Sequence, residues 1–212
     1  MKILKNFVVF EGGDGSGTTT QLGLLEEFFI QNREKLSLPL LHRTCEPTDS
    51  PVGALIRRAL REQLQLKAET IAFLFAADRN EHLFGTEGIA ERCARGELVV
   101  TDRYLPSSLV YQGITCGNEL PLTLNKDFPS PELLIFFDID PEIAQKRMEN
   151  RKIREIFENL DFQIQVRTRY KALLPALVDQ GMRVETIDAL RPPEEIAAEV
   201  RELIQNLPII KQ

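Results

Sequence analysis

Four consecutive apolar residues, Phe7-Val8-Val9-Phe10, run through Glu11 into Gly12-Gly13-Asp14-Gly15-Ser16-Gly17-Thr18-Thr19-Thr20, and an apolar pattern at helical spacing then begins near Gln21. A short, unbroken apolar run bounded by glycines suits a strand buried on both faces. The stripe that follows, Leu22, Leu25, Phe28 and Phe29, folds a helix back onto that strand. Similar runs recur at Leu40-Leu41, Leu98-Val99-Val100, Leu133 to Phe137 and Val184 to Ile187. Helical patterns lie between and after them, at Leu55, Ile56, Ala59, Leu60 and Leu64 and again at Ile196, Val200, Leu203 and Ile204. Strand and helix in alternation predict an α/β chain of three layers, with a five-stranded, mostly parallel sheet flanked by helices.

At 212 residues with 43% hydrophobic content, one domain over 1–212 with a substantial core is expected. Two stretches lack a clear core pattern. Residues 113–131 read as a long loop, broken by Gly113, Gly117, Pro121, Pro129 and Pro131; residues 147–171 are rich in charge. The net charge of −6 argues against a general nucleic-acid coat. The basic residues are Arg-biased, 17 Arg to 9 Lys, which favours bidentate recognition of phosphate or carboxylate. The 147–171 stretch sums to 7 − 4 = +3, leaving −9 for the remainder. Cys45, Cys93 and Cys116 are odd in number and scattered, so a reducing, cytoplasmic compartment is expected rather than a disulfide framework. Neither a secretory signal nor a membrane span is predicted.

The spacing of Gly12 and Gly17 fits the phosphate-binding loop G-x-x-x-x-G-K-[ST], in which backbone N–H groups and a helix N-terminus wrap a polyphosphate. Thr18 occupies the Lys position and Thr19 the position of the Mg²⁺-ligating hydroxyl. The bland alternative is a glycine-rich strand-to-helix turn; strand, loop and helix in the required order favour phosphate binding.

Phe10-Glu11-Gly12-Gly13-Asp14-Gly15-Ser16-Gly17, with Thr19-Thr20-Gln21 after it, resembles the thymidylate kinase loop F-E-G-x-D-G-x-G-K-T-T-Q. Four further segments agree in order: Glu46-Pro47-Thr48 with Gly53; Leu74-Phe75-Ala76-Ala77-Asp78-Arg79; Asp102-Arg103-Tyr104 with Ser107-Ser108 and Tyr111-Gln112-Gly113; and Phe137-Asp138-Ile139-Asp140-Pro141-Glu142. The resemblance implies a P-loop NTPase-type fold with a lid over about 143–160, ATP and Mg²⁺ as cofactors, dTMP as acceptor, no nucleic-acid or membrane partner, and a homodimer. It implies phosphate contacts from residues 12–20 and metal contacts from Thr19 and Asp102. For dTMP it implies Asp14, Glu46, Pro47, Phe75, Arg79, Arg103, Ser107, Ser108, Tyr111 and Gln112. Within that set Phe75 stacks on thymine, Arg79 bonds its edge, Tyr111 lies under the sugar, Asp14 meets the 3′-hydroxyl and Arg103 holds the α-phosphate.

From the residues alone, alternatives stay open: Phe75 or Tyr111 as core side chains, Asp14 as a turn residue, Asp102-Arg103 as a surface ion pair. Gly15 resembles the type of thymidylate kinase whose catalytic cations sit in the lid, which makes Arg147, Arg151, Lys152 and Arg154 candidates. Arg151 joins Asp14 and Arg103 as the expected catalytic set. Cys45 replaces an Arg that the family commonly carries before Glu-Pro. ATP-dependent conversion of dTMP to dTDP for dTTP synthesis is the leading expectation; Thr18 and Cys45 leave a nucleotide-binding chain of impaired turnover, or a regulatory subunit, as one alternative, and another nucleoside monophosphate kinase as a second.

Overall fold

The computed structural model describes residues 2–149 and 156–211. Its sheet is parallel throughout, with strands β1 (Ile3–Gly12), β2 (Leu41–Cys45), β3 (Leu98–Asp102), β4 (Ser130–Asp138) and β5 (Val184–Asp188) in the order β2-β3-β1-β4-β5. All five predicted strands are present. The helices are α1 (Thr18–Asn32), α2 (Pro51–Leu60), α3 (Ala68–Phe84), α4 (Ile89–Ala94), α5 (Leu105–Cys116), α6 (Glu119–Asn125), α7 (Pro141–Met148), α8 (Leu160–Asp179) and α9 (Pro193–Gln205).

Alternate residues of the central strands feed opposite layers, as the period of two requires. Val8, Phe10, Val100, Ile135 and Phe137 pack with Leu22, Leu25 and Phe29 of α1 and Ile196, Val200 and Ile204 of α9. Phe7, Val9 and Val99 face Leu83, Ile89 and Cys93, while Leu134 and Phe136 face Val110 of α5 and Val166, Tyr170 and Leu174 of α8. With β1 between β3 and β4, the chain builds outward on both sides of it. The carboxyl ends of β1 and β3 therefore border the crevice where open α/β sheets hold ligands.

Three local readings are corrected. Residues 113–131 are not one loop: they hold the end of α5, all of α6 and the start of β4. Helix α6 escaped detection because it is short and buries only Pro121 and Asn125. The 147–171 stretch enters α8, whose buried face is Gln163, Val166, Tyr170, Leu174 and Leu177, a narrow stripe opened by a polar residue. Leu64 falls outside α2, because Glu62 takes a left-handed φ of 58° just past the helix end.

Candidate active site

The glycine loop bends between β1 and α1 through left-handed Gly15 (φ 81°) and Gly17 (φ 95°). Gly15 is required twice over, since a Cβ there would also lie 2.7 Å from the Ala144 carbonyl oxygen on α7. That contact excludes an Arg at this loop position. Helix α1 starts at Thr18, earlier than the apolar pattern indicated, and has no side-chain N-cap. Its first backbone bond runs from Gln21 N–H to the Gly17 carbonyl, so the amides of residues 18–20 are left for a ligand. They open onto a cavity lined by residues 13–21 together with Asp102, Arg103, Arg147 and Arg191. Thr19 donates its hydroxyl to Asp102 Oδ2 at 2.7 Å. Asp102 Oδ1 and Ser16 Oγ are buried with no partner among the described residues. Two adjoining hard oxygen groups, one with an unused carboxylate atom, fit Mg²⁺.

A second cavity is lined by the whole predicted acceptor set: Asp14, Glu46, Pro47, Phe75, Arg79, Arg103, Ser107, Ser108, Tyr111 and Gln112. Phe75 and Arg79, one helical turn apart on α3, both reach it, so Phe75 is a wall residue and not part of the core. Asp14 and Arg103 line both cavities, and Arg103 Nη2 donates to Asp14 Oδ1 at 2.5 Å. The Asp102-Arg103 segment is thus no ordinary surface ion pair.

Arg103 sits in a left-handed backbone conformation (φ 71°), uncommon for a non-glycine residue. It is pinned there by its N–H to the Phe10 carbonyl at 2.9 Å and by Thr101 Oγ1 donating to its own carbonyl at 3.1 Å. Beneath it Glu11, fully buried, accepts from Tyr104 N–H (2.9 Å), Ser107 N–H (3.2 Å), Ser107 Oγ (2.7 Å) and the Tyr170 hydroxyl (2.7 Å). Burial pushes the Glu11 carboxyl above its ordinary pKa against the pull of these donors and of Arg103. Ser107 also accepts from Arg103 Nη1 at 3.3 Å. The Arg103 guanidinium lies 5.1 Å from the centre of the Tyr111 ring, whose hydroxyl is buried and unpartnered among the described residues. Burial raises the Tyr111 phenol well above its usual range, so it meets a ligand as a neutral hydroxyl.

The far wall is an ionic network. Arg79 donates from Nε and Nη2 to Glu46 Oε2 at 3.0 and 2.7 Å, from Nη2 to Ser108 Oγ at 2.9 Å, and from Nη1 to Asn125 Oδ1. These bonds use four of the five guanidinium N–H groups. Glu46 Oε1 lies 3.2 Å from His82 Nδ1, and His82 Nε2 lies 2.7 Å from Thr44 Oγ1. Asp78, buried beside Arg79, accepts from Thr48 N–H, Thr48 Oγ1 and Ser50 Oγ, and so fixes the turn that carries Glu46 and Pro47. Arg57 donates to the Pro47 and Thr48 carbonyls and sits 3.8 Å from Cys45 Sγ, which brings a cation to the side where the sequence lacks one.

Sequence reasoning missed Glu11, Arg57, Asp78, His82, Asn125, Phe157, Gln163 and Arg191. Glu11 and Asp78 stood inside the quoted motifs, and their polarity within otherwise apolar elements was the available signal. Arg147 lines the phosphate-side cavity and donates to the Ala189 carbonyl at 3.0 Å. Arg151, Lys152 and Arg154 lie outside the described residues. Elsewhere in the basic stretch, Arg167 and Lys171 pair with Asp138 at 2.7 and 3.0 Å, and Arg169 donates to Asn118.

A glycine loop with open amides, a Thr–Asp oxygen pair at its edge and an Arg shared with an adjoining cavity are the arrangement of a P-loop phosphotransferase, with two cavities that meet at one arginine. The thymidylate kinase family model matches residues 10–200. The chain belongs to the thymidylate kinase family. It is 40% identical over 192 residues to a Treponema pallidum (strain Nichols) protein named for that activity, covering 89% of each chain. To a "probable thymidylate kinase" of Pyrobaculum aerophilum it is 38% identical, with 95% of this chain and 97% of the relative covered. A "probable thymidylate kinase" of Methanococcus vannielii is 40% identical, over 79% of this chain and 77% of its own.

Proposed function

We propose that this protein transfers the γ-phosphoryl group of ATP to dTMP, giving dTDP and ADP, in the synthesis of dTTP. The observation that carries the reading is the meeting of the two cavities at Asp14 and Arg103. A donor phosphate on the loop amides and an acceptor phosphate on Arg103 are then neighbours, and positioning with charge stabilisation is most of what phosphoryl transfer requires. Residues 12–20 hold the polyphosphate. Thr19 and Asp102 hold Mg²⁺, which when bound neutralises phosphate charge. Phe75 stacks on the thymine and the remaining Arg79 N–H meets its edge, while Gln112 Oε1, buried and unpartnered among the described residues, accepts from the base. Asp14 receives the 3′-hydroxyl and Tyr111 packs under the sugar, where a ribose 2′-hydroxyl is disfavoured.

The cation that a P-loop Lys supplies comes in this reading from arginines: Arg151 first, and with it Arg147 and Arg191, which line the phosphate-side cavity. The domain spans 1–212 with the lid over about 143–160. A homodimer through α3 is supported by its exposed stripe of Phe73, Ala77 and Phe84. A cytoplasmic location is supported by three free cysteines. The test is a coupled assay with ATP, Mg²⁺ and dTMP. Wild type is expected to turn over with Thr18 in place, and Arg151→Ala to lower kcat more than dTMP affinity. Binding of dTMP by wild type without turnover would defeat the kinase reading.

A further inference from the structure

Gln163, on the first turn of α8, is buried and makes three hydrogen bonds. Its Oε1 accepts the Asp14 backbone N–H at 3.0 Å, and its Nε2 donates both to Asp14 Oδ2 at 2.6 Å and to the Phe157 carbonyl at 2.9 Å. Both amide donors and the acceptor are engaged, and a flipped amide would set NH₂ against N–H and oxygen against carboxylate, so the orientation is determined. A Cβ on Gly13 would come to 3.0 Å from Gln163 Oε1, so the loop passes directly over this amide. Phe157 lines the acceptor cavity, stacks on Phe162 at 4.8 Å and tilts against Tyr111 at 5.6 Å. One side chain thus ties the loop residue common to both cavities to a wall of the acceptor pocket and to the helix that follows the lid.

We propose that Gln163 is a positioning residue, holding the Asp14 carboxylate toward Arg103 so that donor loop and acceptor pocket stay in register for transfer. This rests on the kinase reading above. Asp14 divides its two oxygens between partners, Oδ1 to Arg103 and Oδ2 to Gln163, and loss of the second frees the carboxylate to swing with the loop. Among the described residues, the groups around this pair are Arg103 from the β3–α5 turn, Tyr111 from α5, Asp138 at the end of β4 and Arg167 on α8, while α7 presents Ala144 and Met148. All remain in a variant at 163, so a ratio to wild type at each pH isolates that position.

Gln163→Met keeps the volume and removes the hydrogen bonds. It is expected to lower kcat by about tenfold to a hundredfold, with the KM for dTMP changing by no more than about threefold, because misorientation at the reacting end leaves base recognition at Arg79 and Phe75 in place. Gln163→Glu puts a second carboxylate against Asp14, and the like charge favours proton uptake by the introduced Glu as the pH falls. Protonated Glu restores both contacts to Asp14, and its kcat relative to wild type is expected to rise from pH 8 to pH 6 while that of Gln163→Met stays flat. Wild-type kcat in Gln163→Met, or equal pH ratios in the two variants once thermal unfolding shows both folded, would overturn the inference. If wild type binds dTMP without turnover, only the kinase reading falls. The orientation is then read directly: crystal structures of wild type and Gln163→Met decide the positioning role, with an Asp14 carboxylate turned away from Arg103 in the variant supporting it and an unmoved one ending it. No dTMP binding by wild type defeats both.

Discussion

Arg103→Met is expected to lower kcat/KM for dTMP by about a thousandfold, ~4 kcal/mol of transition-state stabilisation, the upper end of what one preorganised charge contributes. The size follows from its place on both cavities, which no other cation among the described residues shares. The fold should barely register the change. The Arg103–Asp14 pair is partly exposed, with side-chain accessibilities of 24% and 19%, and a pair that solvent reaches contributes less than about 1 kcal/mol to stability. Steady-state kinetics beside thermal unfolding check both halves. Arg103→Lys sharpens the test: an ammonium keeps the charge but not the fork that spans Asp14, Ser107 and a phosphate, so it should restore only part of the loss. A fall in activity matched by a fall in stability would mean that Arg103 is structural.

The opposite pattern is expected at Arg79. Its side chain and that of Glu46 are 1% and 2% exposed, so Arg79→Leu leaves a buried carboxylate without its cation and leaves Asn125 and Ser108 without a donor. The expected loss of stability is about 3–5 kcal/mol. For a chain of this size that is a fall in melting temperature of about 6–20 °C. The mechanism predicts a sign for the double variant: Arg79→Leu/Glu46→Leu removes both charges and should be more stable than Arg79→Leu alone. Urea denaturation of the three proteins checks this. A double variant weaker than the single would show that Glu46 is held mainly by His82 and the surrounding turn. Binding of dTMP should fall in both variants, since a buried Arg with most of its donors already committed is a rigid platform for the base.

The contrast between these two arginines shows what was legible in the sequence. Both were named from motifs, and both reach the acceptor cavity, but motif position did not distinguish an arginine spent on the protein from one turned to the ligand. The sheet was legible because β1, β3 and β4 are buried on both faces and therefore read as unbroken apolar runs. Helix α8 was not, because its inward stripe opens with Gln163 and its outward face carries the charges that dominate the stretch. Asp78, Asn125 and Gln163 were missed for one physical reason: each is a buried polar residue whose role is to satisfy another, and such a partner is defined by where the chain brings it, not by its neighbours in sequence. Gly15 shows the reverse case. The family resemblance at this position suggested the loop type, and its left-handed φ and contact with Ala144 supply the cause.

Thr18 poses the central question, since the loop has lost the residue that most often meets the transferring phosphoryl group. It forms the first residue of α1, nearly buried, and lines the phosphate-side cavity beside Thr19 and Thr20. The described cations on that cavity, Arg103, Arg147 and Arg191, come from three different segments of the chain. Charge for the transition state therefore need not come from the loop itself.

The most direct measurement is product analysis with wild-type protein, ATP and Mg²⁺ against dTMP, dUMP, thymidine and CMP as acceptors. The account predicts dTDP from dTMP as the dominant product, weaker reaction with dUMP, and none with thymidine, which lacks the phosphate for Arg103, or with CMP, whose 2′-hydroxyl meets Tyr111. Equal use of CMP and dTMP, or no transfer to dTMP at saturating ATP, would contradict it.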